Sequence, residues 1–190
     1  MQKGNYIDAI LRAKKTVFTF KEIALLWREA GTNTTRVRIN YYIKKEKLLS
    51  LRRGIYVKDK DYNKLELATK IITPAYVSFE TVLAKEGIVF QYYDRIFVAS
   101  YLTRDIVCDS QVYSFKKIKR LILTNNIGVE NKEECSVATK ERAFLDTLYI
   151  NKDYYFDNLV PLDWDKVFAI LPIYQNQRMN KKVKELYDTK

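Results

Sequence analysis

The sequence predicts an α+β protein in two parts, residues 1–60 and residues 61–190. Three observations lead there. Apolar residues recur at helical spacing through the first part and then give way to a short alternating hairpin. Beyond it, strand-like and helix-like runs are interspersed over about 120 residues, the pattern of a mixed α+β domain. Charge divides at the same place: residues 1–60 hold 15 Lys and Arg against 5 Asp and Glu, whereas residues 61–190 hold 19 against 18.

The first helix is predicted over Asn5 to Lys15, with Ile7, Ile10 and Leu11 on one face and Lys14 and Lys15 at the C-terminal end, where cations suit the helix dipole. Thr16-Val17-Phe18 breaks it. Thr19 has the side chain of an N-cap for a second helix, Phe20 to about Ala30, which Gly31 ends. Thr32-Asn33 reads as a short turn. A third helix then runs from Thr34 to about Glu46, with Ile39, Tyr42 and Ile43 on its inner face. Its opposite face carries Thr34, Val37, Arg38, Tyr41, Lys44 and Lys45. Leu48–Leu51 and Ile55–Val57 read as strands joined by the tight turn Arg52-Arg53-Gly54.

That order is the plan of a winged helix-turn-helix. Long cationic side chains on the third helix suit phosphates and guanines, and short groups or methyls suit thymine. Arginines at a hairpin tip suit the minor groove, where the negative potential is strongest. The candidate DNA-binding residues are therefore Thr34, Arg36, Arg38, Tyr41, Lys44, Lys45, Arg52 and Arg53. Helix, helix, turn, cationic helix and Arg-Gly hairpin in sequence, together with the concentrated charge, point to double-stranded DNA as the partner.

In the second part, Lys58–Asp61 forms a charged linker and Asn63–Ile72 a helix ending before Pro74. Ser78 is the expected cap of a helix over Phe79–Glu86, closed by Gly87. Arg95–Ser100, Asp105–Cys108 and Gln111–Phe115 read as strands, the last two joined at Asp109-Ser110. Lys119–Leu123 is a further strand candidate, and Lys116–Arg120 reads as a solvated strand edge, with a secondary nucleic-acid contact as the other option. Thr139 caps a helix over Lys140–Ile150, in which Glu141, Arg142 and Asp146 read as surface charges. Asp163 caps a short helix holding Trp164 and Phe168 and stopping at Pro172. A last helix runs from about Gln175 to Tyr187.

Composition narrows the function classes. Hydrophobic residues make up 47% of the chain, enough for a packed core. No apolar run approaches the ~18–20 residues of a membrane span, and Met1–Tyr6 leads into an amphipathic stretch, so the expected location is cytoplasmic and no membrane partner is expected. Cys108 and Cys135 lie far apart and there is no histidine, which leaves no ligand set for structural zinc and no Ser-His or Cys-His nucleophile. The two cysteines read as small reduced hydrophobes. No catalytic residue, cofactor or metal is expected. The rival enzyme reading, a metal-dependent DNA nuclease, needs two carboxylates and a lysine, which Asp109 and Glu130-Asn131-Lys132 match on paper, but at a hairpin turn and in a polar segment. An interaction module that docks an acidic protein or RNA is the other rival.

Four blocks carry a family resemblance: Leu48–Val57 (LLSLRRGIYV), Tyr76–Val89 (YVSFETVLAKEGIV), Ser136–Tyr149 (SVATKERAFLDTLY) and Leu162–Leu186 (LDWDKVFAILPIYQNQRMNKKVKEL). In this order they resemble the AbiEi-type antitoxins, transcriptional regulators of type IV toxin–antitoxin systems in bacterial abortive-infection defence. Lys85 and Glu86 stand where members often have a small residue and a histidine. The resemblance implies a repressor that binds inverted repeats in its own promoter through the N-terminal module, with self-association on DNA as a further partnership. It also implies a C-terminal domain that opposes a nucleotidyltransferase-like toxin without needing to touch it. Standalone regulators share the architecture, and a regulator without antitoxin activity is the alternative.

Overall fold

In the computed structural model, which describes residues 6–29, 32–132 and 134–189, helices and sheets are mixed along the whole chain. Helix α1 spans Tyr6–Arg12; its expected first residue, Asn5, lies outside the described residues. Strand β1, Val17–Thr19, replaces the simple break read from the sequence: a β-branched and aromatic triplet finds a partner strand 40 residues on. Helix α2, Phe20–Leu26, starts on a reciprocal cap in which the Glu22 N–H donates to the Thr19 hydroxyl and the Thr19 N–H donates to the Glu22 carboxylate. It ends well before Ala30, with Arg28 in the left-handed region at φ 55°. Ala30 and the expected terminator Gly31 lie outside the described residues. Helix α3, Thr32–Lys44, begins two residues earlier than expected, so Thr32 and Asn33 belong to the helix and not to a turn. Strands β2, Leu49–Arg52, and β3, Ile55–Val57, form the expected hairpin, with Gly54 at φ +79° in its turn. The three strands make an antiparallel sheet in the order β1-β3-β2.

Strand alternation gives this small sheet two different neighbours. Phe18 and Tyr56 face a cluster made with Ile10, Ile23, Trp27, Ile39 and Leu48, against which Tyr42 and Ile43 also pack. Val17, Ile55 and Val57 face the other way, into the large core of the rest of the chain.

That larger part is built on a six-stranded sheet in the order β6-β7-β5-β4-β9-β8. Its strands are β4 (Ala75–Val77), β5 (Arg95–Ser100), β6 (Arg104–Cys108), β7 (Gln111–Lys117), β8 (Val129–Lys132) and β9 (Cys135–Ala138). Pairings β5–β7 and β4–β9 are parallel; the other three are antiparallel. Asp109 and Ser110, both at positive φ, close the two-residue β6–β7 hairpin as expected. Helix α4, Lys64–Ile71, is capped by the Asn63 side chain and lies against β4, β9 and β1. Helix α7, Lys140–Ile150, is capped by Thr139 as expected. Helix α8, Trp164–Ile170, runs into one 3₁₀ turn at Leu171–Tyr174, and the last helix, Gln177–Asp188, is capped by Asn176.

Several expectations are corrected. Lys119–Leu123 is not a strand: Arg120–Leu123 forms the short helix α6, since a brief Leu-Ile-Leu run fits either period. Lys116–Arg120 is not a sheet edge either, because β7 lies between β6 and β5, and Lys116 is spent on a part-buried pair with Glu80 at 2.9 Å. Ser78 does not cap helix α5, Glu80–Lys85; Phe79 occupies that position at φ 56°, and the Ser78 hydroxyl donates instead to Asp146. The polar stretch around Glu130 is strand β8.

The largest correction concerns α7. Glu141 through Leu148 are all buried, so Glu141, Arg142 and Asp146 are interior residues and not surface charges. Arg142 and Asp146 are fully enclosed and meet at 3.3 Å. The Arg142 guanidinium also donates to the Ile122 and Ile127 carbonyls at 2.7 and 2.6 Å and to the Tyr76 hydroxyl at 2.9 Å. Asp146 accepts from the hydroxyls of Tyr174, Ser78 and Tyr76 at 2.7–2.9 Å. Burial pushes the Asp146 carboxyl above its ordinary value, against Arg142 and the three hydroxyls. It also lifts the Tyr76 and Tyr174 phenols well above theirs, which keeps both as donors. Buried charge is tolerated here because each guanidinium nitrogen of Arg142 and each carboxylate oxygen of Asp146 has a partner of opposite character.

Candidate nucleic-acid interface

Helix α3 is held on one side by Ile39, which is fully buried, with Thr35, also fully buried, donating to Glu29 at 2.8 Å. At 100° per residue the side opposite Ile39 centres on Val37. Within about 60° of it lie Asn33, Thr34, Asn40, Tyr41 and Lys44, all exposed. Val37 and Tyr41 are 70% and 55% exposed.

The predicted residues fall in four places. Thr34, Tyr41 and Lys44 share the central stripe, while Arg36 and Lys45 stand on its flanks, exposed. Arg36 is on the flank nearer the small sheet: burial lifts the Tyr56 phenol of β3 above its ordinary value, and the Arg36 guanidinium works against that rise. Arg52 and Arg53, at the β2–β3 turn, are exposed. Arg36, Lys44, Lys45, Arg52 and Arg53 form no ion pair with any described residue. Arg38 is placed differently. Its guanidinium pairs with Glu29 and lies over the Tyr6 ring, 3.6 Å from the centroid, with Trp27 beyond. It braces α3 against α1 and α2 through that pair and the ring contacts. Asn33 and Asn40 were overlooked by an argument that followed cations, although the same helical spacing places them beside Val37.

A polar joint fixes this unit to the sheet domain. Glu66 of α4, 1% exposed, accepts from the Thr16 N–H and hydroxyl at 2.8 and 2.7 Å and from the Val17 N–H at 3.2 Å. Glu22 of α2 pairs with Lys15 and with Lys70 of α4. Burial alone would push the Glu22 carboxyl up, but the hydrogen bonds from Lys15, Lys70 and Thr19 outweigh it and hold it down at about 2. Lys58 donates to the Ala13 carbonyl, and the Tyr62 hydroxyl to Asp109 at 2.7 Å. Beside this joint runs a cleft of about 930 Å³ lined by Lys14, Lys15, Asp61, Tyr62, Asn131 and Glu134 among others.

The residues of the nuclease pattern are not gathered. Asp109 lies in the turn just after β6 and Glu130 on β8, at opposite edges of the large sheet, and Glu130 pairs with Lys132 at 2.9 Å. Among the described residues, no group of three or more His, Cys, Asp or Glu side chains is arranged to hold a metal ion. Cys108 and Cys135 are both buried. No described helix is long and apolar enough to cross a membrane. Compared with known proteins, the chain matches no protein-family model and no curated protein.

Proposed function

We propose that residues 6–57 are a winged helix-turn-helix that binds double-stranded DNA, and that the chain acts as a transcriptional repressor. The observation that carries this is the exposed stripe of α3 with unpaired cations on both flanks, on a unit whose elements follow the order helix, strand, helix, helix, strand, strand. Helix α3 enters the major groove, Arg36, Lys44 and Lys45 meet phosphates, and Arg52 and Arg53 of the hairpin grip the backbone or the minor groove. The dsDNA site sought is an inverted repeat upstream of the chain's own gene, which two copies occupy.

Within this reading the resemblance to AbiEi-type antitoxins supports a second role, in which the chain opposes a nucleotidyltransferase-like toxin encoded beside it. The matching block Ser136–Tyr149 contains Arg142 and Asp146, so its pattern is accounted for by the folding of the domain and assigns no antidote residue. Gel-shift titration of the upstream duplex against a shuffled duplex tests DNA binding; equal binding to both at physiological salt counts against a repressor. Co-expression with the neighbouring reading frame tests the antidote role, which growth arrest unrelieved by this chain would remove.

A further inference from the structure

The base-reading part of α3 carries the wrong groups for guanine and the right ones for adenine and thymine. Resting on the DNA-binding reading above, we propose that this helix selects A·T-rich sequence, with Asn40 and Asn33 as adenine readers and Val37 as the contact for a thymine methyl.

The code of the major groove makes the distinction sharp. Guanine presents two acceptors, O6 and N7, and is read by the paired donors of arginine or by lysine. Adenine presents an acceptor and a donor, N7 and N6, which a carboxamide matches with its own donor and acceptor. Thymine adds a methyl group that takes apolar contact. In a helix-turn-helix it is the N-terminal part of the recognition helix that meets base edges. Here Thr34 and Asn33 stand in that part and Val37, Asn40 and Tyr41 carry the same stripe onward, so the stripe exposes two carboxamides, a hydroxyl, an isopropyl group and a phenol, with no cation within about 60° of Val37 until Lys44 at the C-terminal end.

Two arginines lie in this stretch, and neither is aimed at a base. Arg36 sits about 100° round the helix from Val37, on the flank toward β3, where the phosphate backbone would run. Arg38 lies about 100° round on the other side, paired with Glu29 and stacked on Tyr6. Its release to a guanine would leave the Glu29 carboxylate, 13% exposed, without its cation. The hairpin adds an independent pull in the same direction. Its two exposed arginines favour a narrow minor groove of high negative potential, the form A-tracts adopt.

The test is selection of bound duplexes from a random-sequence library by the full chain, followed by titration of the enriched duplex and a version with its central A·T pairs replaced by G·C. Enrichment of A·T-rich cores, with the G·C version bound at least 10-fold more weakly, is the expected result. Asn40→Ala should reduce that preference by roughly 5- to 150-fold, the worth of one bidentate base contact. Asn40 is exposed, so the variant should keep the parent's thermal transition. Enrichment of G·C-rich cores, or a preference unchanged in Asn33→Ala, Val37→Ala and Asn40→Ala alike, overturns the assignment while leaving DNA binding intact. Failure to retain any duplex at low salt overturns the DNA-binding reading itself, and this inference with it.

Discussion

At the scale of single residues, the interior ion pair of α7 governs the large domain. Removing one member strands the other in a dry site, a change that costs about 3–5 kcal/mol. Asp146→Ala should therefore lower the urea-unfolding free energy by about that much. The double variant Arg142→Met, Asp146→Leu should recover part of the loss, since apolar groups of similar size ask for no partner. A single-variant loss under about 1 kcal/mol would mean that water reaches the pair. Gly128 is a second sensitive point. At φ +73°, an added Cβ would stand 2.8 Å from Ile170 Cδ1 and 3.0 Å from Arg142 Cβ. Gly128→Ala should cost about 1–3 kcal/mol or more, read in the same assay, because backbone strain and crowding act together. Neither position was legible beforehand. Arg142 and Asp146 at i and i+4 look like any surface pair, and only the fold reveals that both faces of α7 are covered.

At the scale of elements, the reciprocal cap of α2 doubles as a joint between the two parts. Glu22 is held down at about 2, below its ordinary 4.5, so it contributes stability that is complete above about pH 4.5 and is lost as pH falls toward 2. Chemical unfolding at stepped pH should show this loss in the parent and a smaller one in Glu22→Gln, whose stability at pH 7 should already be reduced. Elements with strong local chemistry could be read from sequence: the Thr19 and Thr139 caps, the Arg-Gly hairpin, the run Arg95–Ser100, and the Asp109-Ser110 turn. The missed ones lacked such chemistry. Strand β1 is three residues long and exists through its pairing with β3. Strand β8 is polar because it lies at the sheet edge, and α6 is too short for its period to show. The stripe on α3 was half legible: its cations stood out, whereas the part played by Arg38 depends on where Glu29 and Tyr6 stand in space.

At the scale of the whole molecule, charge and DNA affinity should be linked through salt. Five exposed, unpaired cations, Arg36, Lys44, Lys45, Arg52 and Arg53, give an expected log–log slope of about −4 to −5 for operator binding. Replacing Arg52 and Arg53 with alanine should flatten it by about 2 and weaken every duplex, A·T-rich ones most, as loss of narrow-groove contacts does. A slope near zero would place binding elsewhere. The fragment 61–190 should unfold more readily than the full chain in the same urea series, because Val17, Ile55 and Val57 complete its core and Thr16 and Val17 donate to the buried Oε2 of Glu66.

That shared core has a mechanical meaning. Because the small sheet of residues 6–57 packs into the core of the rest of the chain, a copy bound to DNA as proposed would project its bulk from the duplex at one fixed azimuth. Neighbouring copies therefore meet or miss each other according to helical phase, and inserting roughly 5 bp, half a turn, between two half-sites should abolish cooperation that a full-turn insertion of about 10 bp restores.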